Sequence, residues 1–108
     1  VDSVRDAIVE MATGHAGLVV TTGGTGFGPR DLTPEGTLAA VDRQAPGLAE
    51  AMRLVSPLGR LSRAVAGTAG TALVVNTPGS TKGCVETLDA VLDVVPHALD
   101  LLAGGRPH

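Results

Sequence analysis

Two β-branched apolar runs each lead directly into a glycine-bearing turn: Leu18-Val19-Val20-Thr21-Thr22-Gly23-Gly24-Thr25-Gly26 and Ala72-Leu73-Val74-Val75-Asn76-Thr77-Pro78-Gly79-Ser80. Turns of this kind present backbone N–H groups, and glycine lets the chain bend sharply while a bulky anion comes close. Gly23, Gly24 and Gly26 supply this in the first turn, with the hydroxyls of Thr22 and Thr25 as further donors. Pro78, Gly79 and Ser80 form the second. Asp31 follows the first turn and Lys82 the second, a pairing that suggests a phosphate and metal site. Asp31 is the candidate for chemistry, because phosphoryl or nucleotidyl transfer needs a hard oxygen ligand for Mg2+, which takes only one or two protein carboxylates. The plainer reading of Asp31 is a turn former or a partner of Arg30. Lys82 could set a point charge on a phosphate, or be a solvated lysine in the first turn of a helix.

Other residues narrow the chemistry. No Gly-Lys-Ser/Thr follows the first turn, and Gly24-x-Gly26-x-Gly28 is one residue off the dinucleotide fingerprint. Ser56, Arg60, Ser62 and Arg63 form a polar, basic cluster able to reach an anionic substrate, whereas Glu35 reads as a helix-end charge. His15, His97 and His108 lack metal-ligand spacing with Cys84, so zinc is not expected and Cys84 reads as a small apolar residue. Phe27 either covers a ligand ring or anchors its loop.

These residues need a scaffold, and the composition says which kind. At 108 residues and 44% hydrophobic content the chain makes one domain, and with Phe27 as its sole aromatic residue the core must be aliphatic. A formal net charge of −3, with neither basic stripe nor stacking residues, argues against nucleic acid. A single cysteine excludes an intrachain disulfide, no apolar run nears the roughly 20 residues of a membrane helix, and the expected location is cytoplasmic.

Val4, Ile8 and Met11 share one face of a helix over about residues 2 to 13, stopped at Gly14. Gly17 to Thr21 reads as a strand, and 22 to 32 as an unusually long loop. Thr33-Pro34-Glu35 starts a helix, with the Thr33 hydroxyl as its cap, running to Arg43. A second helix carries Leu48, Met52 and Val55 and ends before Pro57. A helical turn around Leu58 to Arg63, a strand near Ala64 to Ala66, a hairpin turn at Gly67 to Gly70 and a strand at Thr71 to Val75 follow. Ser80 or Thr81 caps a helix bearing Val85, Leu88, Val91 and Leu92, and Pro96 opens the last helix, through Leu102. The result is a parallel βαβ core with an added hairpin, residues 1–103 forming the domain and 104–108 a mobile tail.

The run from Thr21 to Glu35, with Leu61-Ser62-Arg63 and Asn76 to Ser80, strongly resembles the molybdopterin-binding family of molybdenum-cofactor biosynthesis, in its adenylyltransferase branch. The resemblance implies an α/β fold of three αβα layers with a mainly parallel sheet, and a homotrimer. It implies adenylyl transfer from ATP, with Mg2+, to the terminal phosphate of molybdopterin, with release of pyrophosphate. It places the glycine loop Gly23 to Gly26 and the turn Pro78 to Ser80 at the pterin and nucleotide site, where Thr22, Ser62 and Lys82 join them as candidate binding residues, and Asp31 at the family's acidic position. It leaves room for a molybdenum-inserting partner. Family members usually begin with a further strand and acidic loop, so an N-terminal strand is expected to be missing. A non-catalytic pterin-binding or carrier module, or an oligomeric assembly partner, are the competing expectations.

Overall fold

The computed structural model describes residues 2–55 and 59–104. In chain order they form α1 (Asp2–Ala12), β1 (Leu18–Thr22), α2 (Thr33–Ala40), β2 (Arg43–Gln44), α3 (Pro46–Leu54), a 3-10 turn (Gly59–Leu61), β3 (Ala66–Ala69), β4 (Ala72–Thr77), α4 (Thr81–Asp89) and α5 (Val95–Leu102). The sheet runs β1-β4-β3-β2. Strand β4 is its spine: all six residues are buried, as a strand covered on both faces requires. Ala72 and Val74 face one way and pack with Ile8, Ala12 and Val19 beneath α1 and α2. Leu73 and Val75 face the other way and pack with Ala49, Met52, Val91 and Val95 beneath α3 and α5. The period-two alternation of one strand thus builds both halves of an αβα sandwich. Each fully buried Val, Leu or Ile contributes roughly 1.5–3 kcal/mol.

The α/β class and layering are as expected, but the sheet is mixed. Only β1 and β4 pair in parallel, while β3 runs antiparallel to both β4 and β2. Strand β2 stands where the pattern predicts the end of a helix reaching Arg43. Instead α2 stops at Ala40, Val41 turns extended, and the Asp42 amide donates to the Thr68 carbonyl at 2.7 Å. Pairing at an open sheet edge satisfies the backbone better there than another helical turn.

Gly67, expected in the hairpin turn, lies within β3, opposite Gln44, and the turn itself is the two-residue Gly70-Thr71. A Cβ at Gly67 would lie 2.5 Å from the Arg43 carbonyl oxygen, so glycine marks a close approach of β2 rather than a bend. The Thr33 hydroxyl does not cap α2, which has Leu32 as its N-cap residue and no side-chain cap bond. Ser80 does cap α4, its Oγ accepting from the Gly83 amide at 3.0 Å. Val85, expected on the apolar face of that helix, is exposed, and Thr87 is the buried residue. The proposed tail beyond Gly104, and Ser56 to Leu58, lie outside the described residues.

Asn76 ties the layers together. Its Nδ2 donates to the Thr21 and Thr37 hydroxyls at 2.8 and 2.9 Å, and its Oδ1 accepts from the Val65 amide at 2.9 Å. Replacing it with alanine leaves buried partners unsatisfied and should lower stability by about 2–3 kcal/mol. An unchanged urea midpoint would refute that role. Asp42 clasps the hairpin, accepting from the Thr68 hydroxyl and, at 2.8 Å, from the Gly70 amide. These bonds, the Thr68 one foremost, hold its carboxyl below the usual carboxylate range. A lowered folded-state value stabilises above the unfolded value of about 3.9 and is lost as pH falls through the folded one. Asp42→Asn should therefore be less stable than the parent at pH 7, with the gap closing below about pH 4 in denaturant titrations. A gap that persists in acid would count against it.

Candidate functional site

Because β1 and β4 are parallel neighbours, the turns that follow them leave the same end of the sheet, where α/β ligand crevices lie. They also touch. The Gly23 amide donates to the Thr77 carbonyl at 2.8 Å, and a Cβ on Gly79 would sit 3.4 Å from the Gly23 Cα. Gly23 and Gly24 take left-handed φ values of 84° and 71°, a conformation that disfavours side chains. The expected convergence of the two turns is what the backbone does.

Beyond Gly24 the first loop has no regular structure, yet it is held at several points. The Thr33 amide donates to the Gly24 carbonyl at 3.2 Å and the Arg63 amide to the Thr25 carbonyl at 2.8 Å. The Arg63 guanidinium donates from Nε to the Gly26 carbonyl at 2.7 Å, from Nη2 to the Asp31 carbonyl and from Nη1 to Glu35 Oε2. Arg63, expected to reach a substrate, commits these groups to the loop. Glu35 is more than a helix-end charge: the Arg63 bond, ahead of its other contacts, holds its carboxyl below the usual range. Its Oε1 is buried with no hydrogen-bond partner among the described residues.

A cleft of about 280 Å3 opens between the two turns and α3. Met52, Leu61 and Ala64 give it apolar walls, Thr25 and Gly26 come from the first turn, and Pro78, Ser80 and Gly83 from the second and the start of α4. Ser62, Asn76 and Thr87 add neutral polar groups, and Arg53 is the one charged lining residue among those described. Arg53 donates to the Ala64 carbonyl at 3.0 Å. Ser80 and Gly83 bring the N-terminal end of α4, with its positive dipole end, to the same rim, an arrangement suited to an anion. The cleft can therefore hold a flat ring with its faces on the apolar walls, its polar edge on the neutral polar groups and a phosphate at one end.

Of the candidate residues, Thr25, Gly26, Ser62, Pro78 and Ser80 line this cleft. Gly23 and Gly79 meet where the two turns join, and Gly24 lies against Thr33, all three outside the lining. Thr22 does not join them: it is exposed and lines a shallow groove beside α1 with Thr21 and Thr33. Lys82 is exposed in the first turn of α4, off the lining. Asp31 is also off the lining, because its Oδ2 accepts from the Gly28 amide at 2.8 Å and its own amide returns to the Gly28 carbonyl at 3.0 Å. Here the turn-forming reading of Asp31 describes what its carboxylate does. Phe27 is 70% exposed, so it does not anchor its loop by burial. Met52, Arg53, Asn76 and Thr87 line the site without having been singled out for it in the sequence. Asn76, sitting just before Thr77-Pro78-Gly79, is the one with a positional signal.

Comparison with known proteins agrees with this geometry. The family model described as a probable molybdopterin binding domain matches residues 1–97. The chain is 39% identical over 108 residues to the molybdopterin adenylyltransferase of Helicobacter pylori strain J99, covering 95% of this chain and 61% of that protein. To the enzyme of the same name from Escherichia coli K12 it is 43% identical over 103 residues, covering 81% of this chain and 53% of that protein. It thus spans little more than half the length of these relatives. Among solved structures, the molybdopterin biosynthesis enzyme MoaB of Thermus thermophilus superposes with a TM-score of 0.87 at 49% identity, covering 97% of this chain and 69% of that one. The Mog protein of Mycobacterium ulcerans gives 0.90 at 44%, covering 96% and 71%. With its paired glycine turns opening on one cleft and nearly its whole length matched, the chain belongs to the molybdopterin-binding domain family.

Proposed function

We propose that this chain serves molybdenum-cofactor biosynthesis by transferring an adenylyl group from ATP to the terminal phosphate of molybdopterin, forming adenylyl-molybdopterin and pyrophosphate. The observation that carries this reading is the contact of Gly23 with Gly79, which joins two anion-binding turns into one rim over an apolar cleft. In it the pterin ring lies against Met52, Leu61 and Ala64, and its phosphate meets the Ser80 turn and the amides of α4. Transfer then depends on positioning and on fixed N–H donors facing the charge that builds on the α-phosphate. Relatives of this chain carry the name of that activity.

Among the described residues no group of three His, Cys, Asp or Glu side chains could hold a metal ion. Asp31 would supply the one carboxylate for an ion that arrives with the nucleotide, since Mg2+ is often held by one carboxylate and substrate phosphates. When bound, Mg2+ would neutralise charge on the phosphates. We further propose a cytoplasmic homotrimer, which hands its product to a molybdenum-inserting partner. A second reading, a pterin carrier without catalysis, draws support from the turn of the Asp31 carboxylate toward Gly28 and off the cleft lining.

Incubation of the full-length protein with molybdopterin, Mg2+ and labelled ATP separates the two: labelled pterin is expected, and tight pterin binding without ATP consumption would establish the carrier. Asp31→Asn should depress kcat by about 100-fold, with pterin affinity changed by less than about threefold. Equal losses in both would make Asp31 a binding residue. Light scattering at micromolar concentration should give three times the chain mass, and a monomer would reject the trimer.

A further inference from the structure

We infer that Arg63 is the positioning residue that holds the first glycine turn in its working shape, without itself touching the transferred phosphate; the inference rests on the adenylyl-transfer reading. Arg63 lies 32 residues beyond Asp31 in sequence, yet it grips the loop at both ends. Its amide donates to the Thr25 carbonyl, its Nε to the Gly26 carbonyl and its Nη2 to the Asp31 carbonyl. Nη1 is held by Glu35, in the first turn of α2, so the guanidinium ties the loop to a regular element. The side chain is absent from the cleft lining, whereas its neighbours Leu61, Ser62 and Ala64 are present.

Three donors pointing at three fixed acceptors need a planar fork, which lysine lacks. The pair is part-exposed, at 30% for Arg63 and 42% for Glu35, so little net stability is due to its charge alone. Its consequence is geometric. A loop carrying two left-handed glycines and no periodic structure would otherwise sample many shapes, and ordering it during reaction would consume binding energy. Held in advance, the Thr25 and Gly26 rim meets the phosphate without reorganisation.

The test uses the full-length protein with molybdopterin and Mg-ATP, and compares the parent, Arg63→Ala and Arg63→Lys. A rim displaced by about an ångström should cost roughly 100-fold in kcat, while KM stays within about threefold. Lysine should recover less than about tenfold of that loss. Methylguanidinium in the buffer should restore part of kcat to Arg63→Ala and leave the parent unchanged. In hydrogen exchange, the Gly28 and Asp31 amides should exchange faster in both variants, with the Val74 and Val75 amides unchanged. A KM rise at constant kcat would make Arg63 an anion ligand, and parent-like kcat or loop exchange would equally overturn the inference. Should the parent itself transfer no adenylyl group, the functional reading fails, and the exchange pattern alone still decides whether Arg63 holds the loop. If Arg63→Ala does not fold, Arg63→Lys carries the same measurements.

Discussion

The parallel pairing of β1 with β4 is the constraint from which the site follows. Its register sets Thr22 beside Thr77, so that the next residue of each strand enters a turn at the same edge of the sheet. Thr77 is fully buried and works in both directions, its carbonyl accepting from the Gly23 amide and its hydroxyl donating to the Thr21 carbonyl at 2.8 Å. A slip of one residue would turn every side chain of β4 to the opposite face. Asn76 would then leave Thr37 on α2, and Leu73 and Val75 would leave the core beneath α3 and α5. Both faces of β4 are packed, so the register is doubly specified.

Two polar residues then do different kinds of work around that pairing. Asn76 is buried and satisfied on both sides of its amide, so its value is largely the cost of leaving its partners alone. Arg63 is part-exposed and paired with a similarly accessible carboxylate, so its value lies in where it puts the loop. The aliphatic core sets where the strands lie, and these two residues set what the strand ends present. The cleft follows from both: apolar walls from α3 and the segment before β3, neutral polar groups from the turns, and, among the described residues, one positive charge at Arg53.

This division bears on the chemistry. The charged residues singled out in the sequence, Asp31, Glu35, Arg60, Arg63 and Lys82, stand outside the cleft lining, with Asp31, Glu35 and Arg63 engaged in shaping the loop and Arg60 and Lys82 exposed. A surface of backbone amides and hydroxyls recognises a phosphate by geometry more than by charge. That suits the proposed reaction, in which an anionic substrate is held while a second anionic group is accommodated beside it. Membership of the molybdopterin-binding domain family accords with such a site.

What the sequence determined by itself is what local patterns can carry: the helices from 3.6-residue spacing, the buried strands from β-branched runs, the glycine turns after them and a cap at Ser80 or Thr81. Those signals lie within a few residues of one another. The tertiary structure alone decided matters that depend on distant partners. Strand β2 exists because pairing with the edge of β3 satisfies its backbone better than a helical end, and Gly67 is small because the Arg43 carbonyl passes close by. Arg63 faces the loop because its acceptors, at Gly26, Asp31 and Glu35, come from the other half of the chain. Asp31 turns to Gly28 for a local reason that composition leaves undecided: a carboxylate three residues from a free amide can close a turn or reach a ligand, and the loop's shape selects between them.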